Sequence, residues 1–298
     1  MLKEIAIVTI IATNIGQVET GWEKFLGYTV ADRGSVSSEL SEHWQAPEME
    51  GARYITMQPA NGAPVYVRFV EDETAAGYRA MTTHGWNATE LLVNDPDHLA
   101  RTIEGRYFET VGKPKDLWDA PDAPRAMQAL GPGRELLYLT RNNRLAAALG
   151  LDDTMPPVER VFIMVVGGPS MEAFRKFYGD TLGLAVGDAT PFQLGVFARM
   201  NSVDAGITYP LAVVPTAPGY LIELDELPES LPDRKIVPGH LPPGIAVVGF
   251  NASELSKGLQ WHSKPRSLDE FPYQGRRTGI LRGPAGELIE VIETPAEE

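Results

Sequence analysis

The sequence predicts an α+β chain of four β-α-β-β-β units arranged as two tandem domains. Three observations predict it. Pieces of the first half recur in the second at nearly constant distance: Leu26-Gly27-Tyr28-Thr29-Val30-Ala31-Asp32 matches Leu182-Gly183-Leu184-Ala185-Val186-Gly187-Asp188, 156 residues on. Lys113-Pro114-Lys115 likewise matches Lys264-Pro265-Arg266 after 151 residues, and Gly131-Pro132 matches Gly283-Pro284 after 152. Unrelated segments do not keep their spacing, so a half-chain unit has been duplicated. The apolar residues also switch between the period of a strand and that of a helix, a strand being followed by a helix and then further strands in each of the first three quarters. Finally, 298 residues with 43% hydrophobic content suit two domains better than one. The expected boundaries are 1–145 for the first domain, 146–157 for a linker and 158–298 for the second, each domain holding two units.

Residues 5–13 are rich in Ile, Val and Thr and read as a strand. Val18, Trp22, Phe25 and Leu26 then fall at helical spacing before Gly27, a helix stop. Residues 28–31 read as extended, 36–45 as a short helix, and 53–57 with 65–70 as a hairpin around Asn61-Gly62. The second unit opens on a strand at 86–93, continues through a helix from Asp95-Pro96-Asp97 to about Ile103, and closes on a strand at 136–140. Residues 141–157 read as the connection, helical at 145–149 and broken by Pro156-Pro157. A strand at 161–166 begins the third unit, followed by a helix over 170–182 with Ser170 as N-cap and extended runs at 184–186, 207–214 and 220–224. Residues 245–250 open the fourth unit, whose last strand follows the turn Gly283-Pro284-Ala285-Gly286.

Charge and cysteine content exclude several function classes. The net charge of −14, from 40 acidic and 26 basic residues, repels phosphate backbones and anionic lipid, so neither a nucleic acid nor a membrane is an expected partner. With no cysteine there is no disulfide, thiolate zinc site or thiol nucleophile, which suits a reducing cytoplasm. The apolar run near the N-terminus is too short to span a bilayer. The expected partner is a small organic molecule, with a second copy of the chain as a further candidate. The phosphate-cradling glycine loop, the Gly-x-Ser-x-Gly elbow and the His-Glu-x-x-His helix are all missing.

Two stretches carry a family resemblance. The helix end Phe177-Tyr178-Gly179-Asp180-Thr181-Leu182-Gly183 and the turn and strand Gly283-Pro284-Ala285-Gly286-Glu287-Leu288-Ile289-Glu290 resemble the vicinal oxygen chelate superfamily, which includes glyoxalases, bleomycin-resistance proteins and extradiol dioxygenases. The resemblance covers nearly the whole chain and implies two tandem glyoxalase-like domains with concave mixed sheets. It also implies a bowl formed by each pair of units, with a divalent metal held by the first and last strands. Strand alternation tests those positions, since successive side chains point to opposite faces. It turns Glu290 inward in the fourth unit, and Leu221, Glu223 and Asp225 inward in the third. Glu223 and Glu290 thus occupy the positions of the family's metal-binding carboxylates, in one C-terminal bowl. The histidine positions of the first strands hold Ile7, Ala88, Val161 or Ile163, and Gly244 or Ile245, none of them a ligand. The five histidines, His43, His84, His98, His240 and His262, lie outside those strands.

Glu290 and Glu223 are accordingly candidates for proton-transfer groups, or for ligands of a hard cation such as Mg²⁺, Mn²⁺ or Ca²⁺ rather than Fe²⁺ or Zn²⁺. In the N-terminal bowl, Arg68 stands where the third unit has Glu223 and Tyr138 where the fourth has Glu290. Glu90, Tyr66 and Thr9 point inward with them, which makes Arg68, Glu90 and Tyr138, with His84, candidates for binding a substrate carboxylate or phenol; the alternative, and the preferred expectation, is that Arg68 and Glu90 pair with each other. His84 and His240, in turns, are candidate acids or bases at a bowl mouth. The loops over 116–125 and 268–277 are matched candidate lids. The functional expectation is a lyase or isomerase acting on an apolar or aromatic carbonyl or hydroxyl compound in the C-terminal bowl. The alternatives are extradiol-type ring cleavage and non-catalytic binding of the bleomycin-resistance kind.

Overall fold

The computed structural model describes residues 2–294 except 104, 106, 152–156 and 257. Its first unit runs β1 (Leu2–Ala12), α1 (Ile15–Gly21), β2 (Tyr28–Ser35), α2 (Ser38–His43), β3 (Arg53–Pro59) and β4 (Tyr66–Glu71). The second runs β5 (Gly85–Val93), α3 (Pro96–Ile103), β6 (Glu109–Asp116), β7 (Arg125–Leu130) and β8 (Leu136–Arg141), followed by α4 (Asn143–Ala148). The third holds β9 (Val158–Gly168), α5 (Met171–Phe174), β10 (Thr190–Phe192), α6 (Gly195–Asn201), β11 (Tyr209–Ala217) and β12 (Tyr220–Glu226). The fourth holds β13 (Gly244–Ala252), β14 (Ser263–Ser267), β15 (Arg277–Arg282) and β16 (Leu288–Glu293), with no helix among its described residues.

The repeat is visible in the backbone. Gly27 and Gly183 end the matched helices at φ 69° and 67°, the left-handed conformation that glycine adopts without steric cost. Each helix closes in a π turn, Trp22–Leu26 and Arg175–Thr181, and each starts on a side-chain cap: Asn14 accepts from the Gln17 amide and Ser170 from the Ala173 amide. Residues 184–186 form no strand, and the third unit's edge strand lies later, in β10. Helix α6 was not legible in the sequence.

The sheets pair the units in an order other than expected. One eight-stranded sheet runs β14-β15-β16-β13-β1-β4-β3-β2 and the other β10-β11-β12-β9-β5-β8-β7-β6. The first unit therefore shares a bowl with the fourth, and the second with the third. The join is the antiparallel pairing of first strands, β1 with β13 and β5 with β9. Sequence repeats report that units are equivalent but carry no information on which equivalent edges meet.

Each sequence half is held together differently, through the apolar layer between the sheets, where Trp86 and Phe250 lie among the buried residues of both. There the Trp22 Nε1 donates to Glu135 Oε1 at 2.8 Å and the Tyr178 hydroxyl to Glu287 Oε1 at 2.9 Å. Both glutamates end the matched Gly-Pro turns and are buried, and each tethers one unit's turn to the preceding unit's helix. Separate cores fill the two bowls, around Trp44 and Tyr273 in one and around Phe197 and Val165 in the other.

Candidate functional site

The bowl of the first and fourth units is filled with side chains. Alternation holds in β16: Ile289 and Val291 join the layer between the sheets, while Glu290 faces the bowl and is 1% exposed. The short helix α2 brings His43 over the sheet, its Nε2 3.2 Å from Glu290 Oε1. From the 268–277 loop, the Tyr273 hydroxyl donates to Glu290 at 3.1 and 3.2 Å and accepts from Arg68 Nη1 at 3.2 Å. Arg68 also donates to the Phe271 carbonyl at 2.9 Å and packs within 5.6 Å of the ring centres of Trp44, Tyr54 and Tyr273. The loop expected to act as a lid is an internal plug here, with Leu268 and Tyr273 fully buried.

The bowl of the second and third units encloses a cavity of about 300 Å³. Its walls are apolar: Ile163, Leu221, Leu211 and Val213 from the sheet, Leu194 and Val196 from the start of α6, and Leu117, Trp118 and Pro124 from the loop between β6 and β7. Glu90, Tyr138, Gln128 and Glu223 line it. Glu90 pairs in register with Tyr138, and Glu223 lies two strands away opposite Val165. Asp225, two residues beyond Glu223 on the same face, is fully buried, and both its carboxyl oxygens have no hydrogen-bond partner among the described residues.

Electrostatics sort these groups. Burial pushes the Glu90 carboxyl up to about 7, with Thr140 pulling the other way. Burial raises Asp225 to about 8, and raises Glu223 well above the usual carboxylate range, reinforced by the charges of Asp225 and Glu90. Burial, then the charges of Glu223, Asp225 and Glu90, also hold the Tyr138 phenol protonated. Near neutral pH the Glu223–Asp225 pair therefore retains a proton while Glu90 titrates, so the floor offers an acid and a base side by side.

Several expected placements need correction. Glu223 and Glu290 lie in different sheets and cannot share a cation or a substrate. Arg68 and Glu90 are likewise separated; Arg68 donates through its two terminal nitrogens to Tyr273 and Phe271 in the plugged bowl, and no ion pair joins Arg68 to Glu90. Neither turn histidine reaches a bowl mouth. The His84 Nε2 meets the Pro228 carbonyl at 3.2 Å in a nearly buried site, and the His240 Nδ1 meets Asp72 at 2.7 Å. Tyr138 and Glu90 do converge as expected, but with Glu223 from the third unit rather than with Arg68. The alternation that aimed Glu223 inward aims Asp225 inward too. By contrast, His43 and Tyr273 lie outside the strands, where the pattern gives no direction.

The divalent metal implied by the resemblance does not fit the donors present. No group of three His, Cys, Asp or Glu side chains among the described residues is arranged to hold one. The cavity contributes no imidazole, and its carboxyls sit where burial favours their neutral form.

Comparison with known proteins agrees with the architecture. No protein-family model and no curated protein match the sequence. Among solved structures, a point mutant of glyoxalase I from Zea mays matches with a TM-score of 0.65 at 12% identity, covering 97% of this chain and 93% of that one. Unmutated Zea mays glyoxalase I gives 0.63 at 12% identity over 97% and 92%. A proposed dioxygenase from Bacillus subtilis gives 0.65 at 12% identity over 99% and 86%. The chain thus has the fold of these glyoxalase I structures, with its four units in two bowls. At such identities the likeness fixes the architecture and leaves the reaction to the site. Among the described residues, no helix is long and apolar enough to cross a membrane.

Proposed function

We propose that the chain is an enzyme of lyase or isomerase type that moves a proton on a small apolar or aromatic carbonyl compound. The reaction takes place in the bowl of the second and third units. The observation that carries this reading is a pair of carboxyls, buried Glu90 and half-buried Glu223, lining a largely apolar cavity, with the fully buried Asp225 beside Glu223 on the same strand face. Placing unpaired carboxyls there opposes folding, and proton transfer near neutral pH is a use for them. In the proposed step the ionised Glu90 removes a proton from the carbon next to the carbonyl. The C–H electron pair becomes a C=C bond, and the carbonyl π pair moves onto oxygen. That oxygen is stabilised by a hydrogen bond from the Tyr138 hydroxyl or takes the proton held by Glu223 and Asp225. Where the carbonyl is conjugated to a C=C bond or carries an α-hydroxyl group, return of a proton to a different carbon gives the isomer; where the β-carbon bears a leaving group, its departure with the C–X electron pair gives the elimination product. No step runs through a metal.

Deuterium uptake from D₂O, followed by proton NMR over a panel of aryl ketones and aryl 2-oxo acids, tests this without knowledge of the natural product. Exchange catalysed by the protein should fall by about 10²–10⁴ in Glu90→Gln, the size of a general-base contribution. Binding without exchange in the wild type, or exchange undiminished in Glu90→Gln, overturns the enzyme reading. The first of these outcomes favours a sequestering protein.

A further inference from the structure

Two basic groups at the edge of the cavity are left unused by proton transfer. Lys115, on β6, and Arg199, on α6, both line the cavity and are exposed residues. Neither side chain has a hydrogen-bond or ion-pair partner among the described residues. Nearby Arg125, by comparison, is held by Asp97 and Asp116. In a chain with 40 acidic residues to 26 basic ones, two unpaired cations at one opening need a reason. The backbone makes room for one of them. At Gly112 a Cβ would meet the Gln128 side chain and come within 3.5 Å of an Arg199 Nη, so the missing side chain lets the amide and the guanidinium lie together over β6.

A guanidinium is a planar fork matched to two oxygens, and an ammonium adds a point charge that follows them. Between this rim and the floor the walls are apolar, Leu194, Val196, Leu211 and Val213 among them. We propose that the cavity takes a carboxylic acid, whose carboxylate docks against Arg199 and Lys115 while its apolar or aromatic body fills the space down to Glu90 and Glu223. The direction in which the body presents its reacting carbon rests on the proton-transfer reading; the docking of the carboxylate does not. The floor tolerates such an anion because the Glu223–Asp225 pair keeps a proton, and the floor carboxyls direct its charge to the rim.

Isothermal titration with hydrocinnamate, its amide, the corresponding alcohol and the corresponding amine at pH 7.5 tests the proposal. The acid should bind about tenfold more tightly than the amide, the usual value of one hydrogen-bonded charge. The double substitution Lys115→Gln with Arg199→Gln should reduce that advantage to about threefold or less, and added salt should do the same to the wild type. The alcohol should bind both proteins equally. Val213→Trp, which fills the cavity, should abolish binding of the whole series. The proposal is overturned if the acid is no better than the amide or the amine, if its advantage survives the double substitution, if it still binds Val213→Trp, or if nothing in the series binds. An acid preference without deuterium exchange would instead count against proton transfer alone.

Discussion

The two bowls are built from equivalent units and have opposite interiors. In the bowl of the first and fourth units, α2 and the 268–277 loop supply His43, Trp44 and Tyr273, and the charged groups there are joined to one another: Glu290 lies against His43 and Tyr273, and Arg68 against Tyr273 and Phe271. In the bowl of the second and third units, the matched elements are α6 and the loop between β6 and β7. They stop short and leave about 300 Å³, with a carboxyl floor that nothing neutralises. The difference shows how a duplicated scaffold divides labour. One copy has its polar residues cross-linked into a foundation, and the other keeps uncompensated polar groups facing a space a ligand can fill.

Parallel substitutions of the two strand glutamates test that division most strongly. Glu290→Ala should destabilise by about 3–5 kcal/mol, because it leaves the buried Arg68 and Tyr273 facing an empty position. In urea unfolding this appears as a lower midpoint, and deuterium exchange by the remaining folded protein should be unaffected. Glu223→Gln should do the reverse, holding or raising the midpoint while lowering exchange. If Glu290→Ala is silent in stability, or if it rather than Glu223→Gln abolishes exchange, the roles given to the bowls are reversed.

Much of the fold was legible because repeats and alternation are local signals. The capping Ser170, the Gly27 stop and the half-chain repeat follow from spacing, and the four units and the inward turn of Glu223 and Glu290 from alternation read together with the family resemblance. Which bowl each glutamate entered was not legible. That depends on β1 meeting β13 rather than β5, a choice between edges of like sequence made by the whole assembly. For the same reason Arg68 was matched with Glu90 rather than with Tyr273, which is 205 residues away in the chain. The working cavity mixes side chains from both sequence halves, and no pattern within one half could have assembled it.

The buried carboxyls also predict how stability follows pH. Glu90, Glu135 and Glu287 are raised by burial from 4.5 to about 7, and Asp225 from 3.8 to about 8. A carboxyl whose pKa is higher in the folded state binds its proton more tightly there. Its contribution is complete below the unfolded-state value, is lost as pH rises between the two values, and is constant above the folded one. The melting temperature should therefore fall from pH 5 to pH 8.5. Asp225→Asn should flatten part of that slope and gain about 1 kcal/mol at the alkaline end, since no partner is lost with the charge. A melting temperature that climbs over this range would mean that the carboxyls are paired and the floor is not as described.

An aromatic from each of the matched loops separates stability from binding, and the smallest effect on folding is expected at Trp118. Tyr273 is fully buried and joins Arg68 to Glu290, so Tyr273→Ala should cost about 3–5 kcal/mol, as truncation of a large core aromatic does. Trp118, in the equivalent loop, is 55% exposed and forms part of the cavity wall. Truncating it removes little that folding had buried, and Trp118→Ala should change stability by less than about 0.5 kcal/mol. A ligand seated in the cavity would cover part of the indole, so its Kd should rise by about three- to tenfold in Trp118→Ala, the range for losing one partly buried aromatic contact. The measurement pairs a thermal melt with a hydrocinnamate titration. Unchanged affinity would place the ligand away from this loop, and a large loss of stability would mean that the loop is a second plug rather than a wall left open.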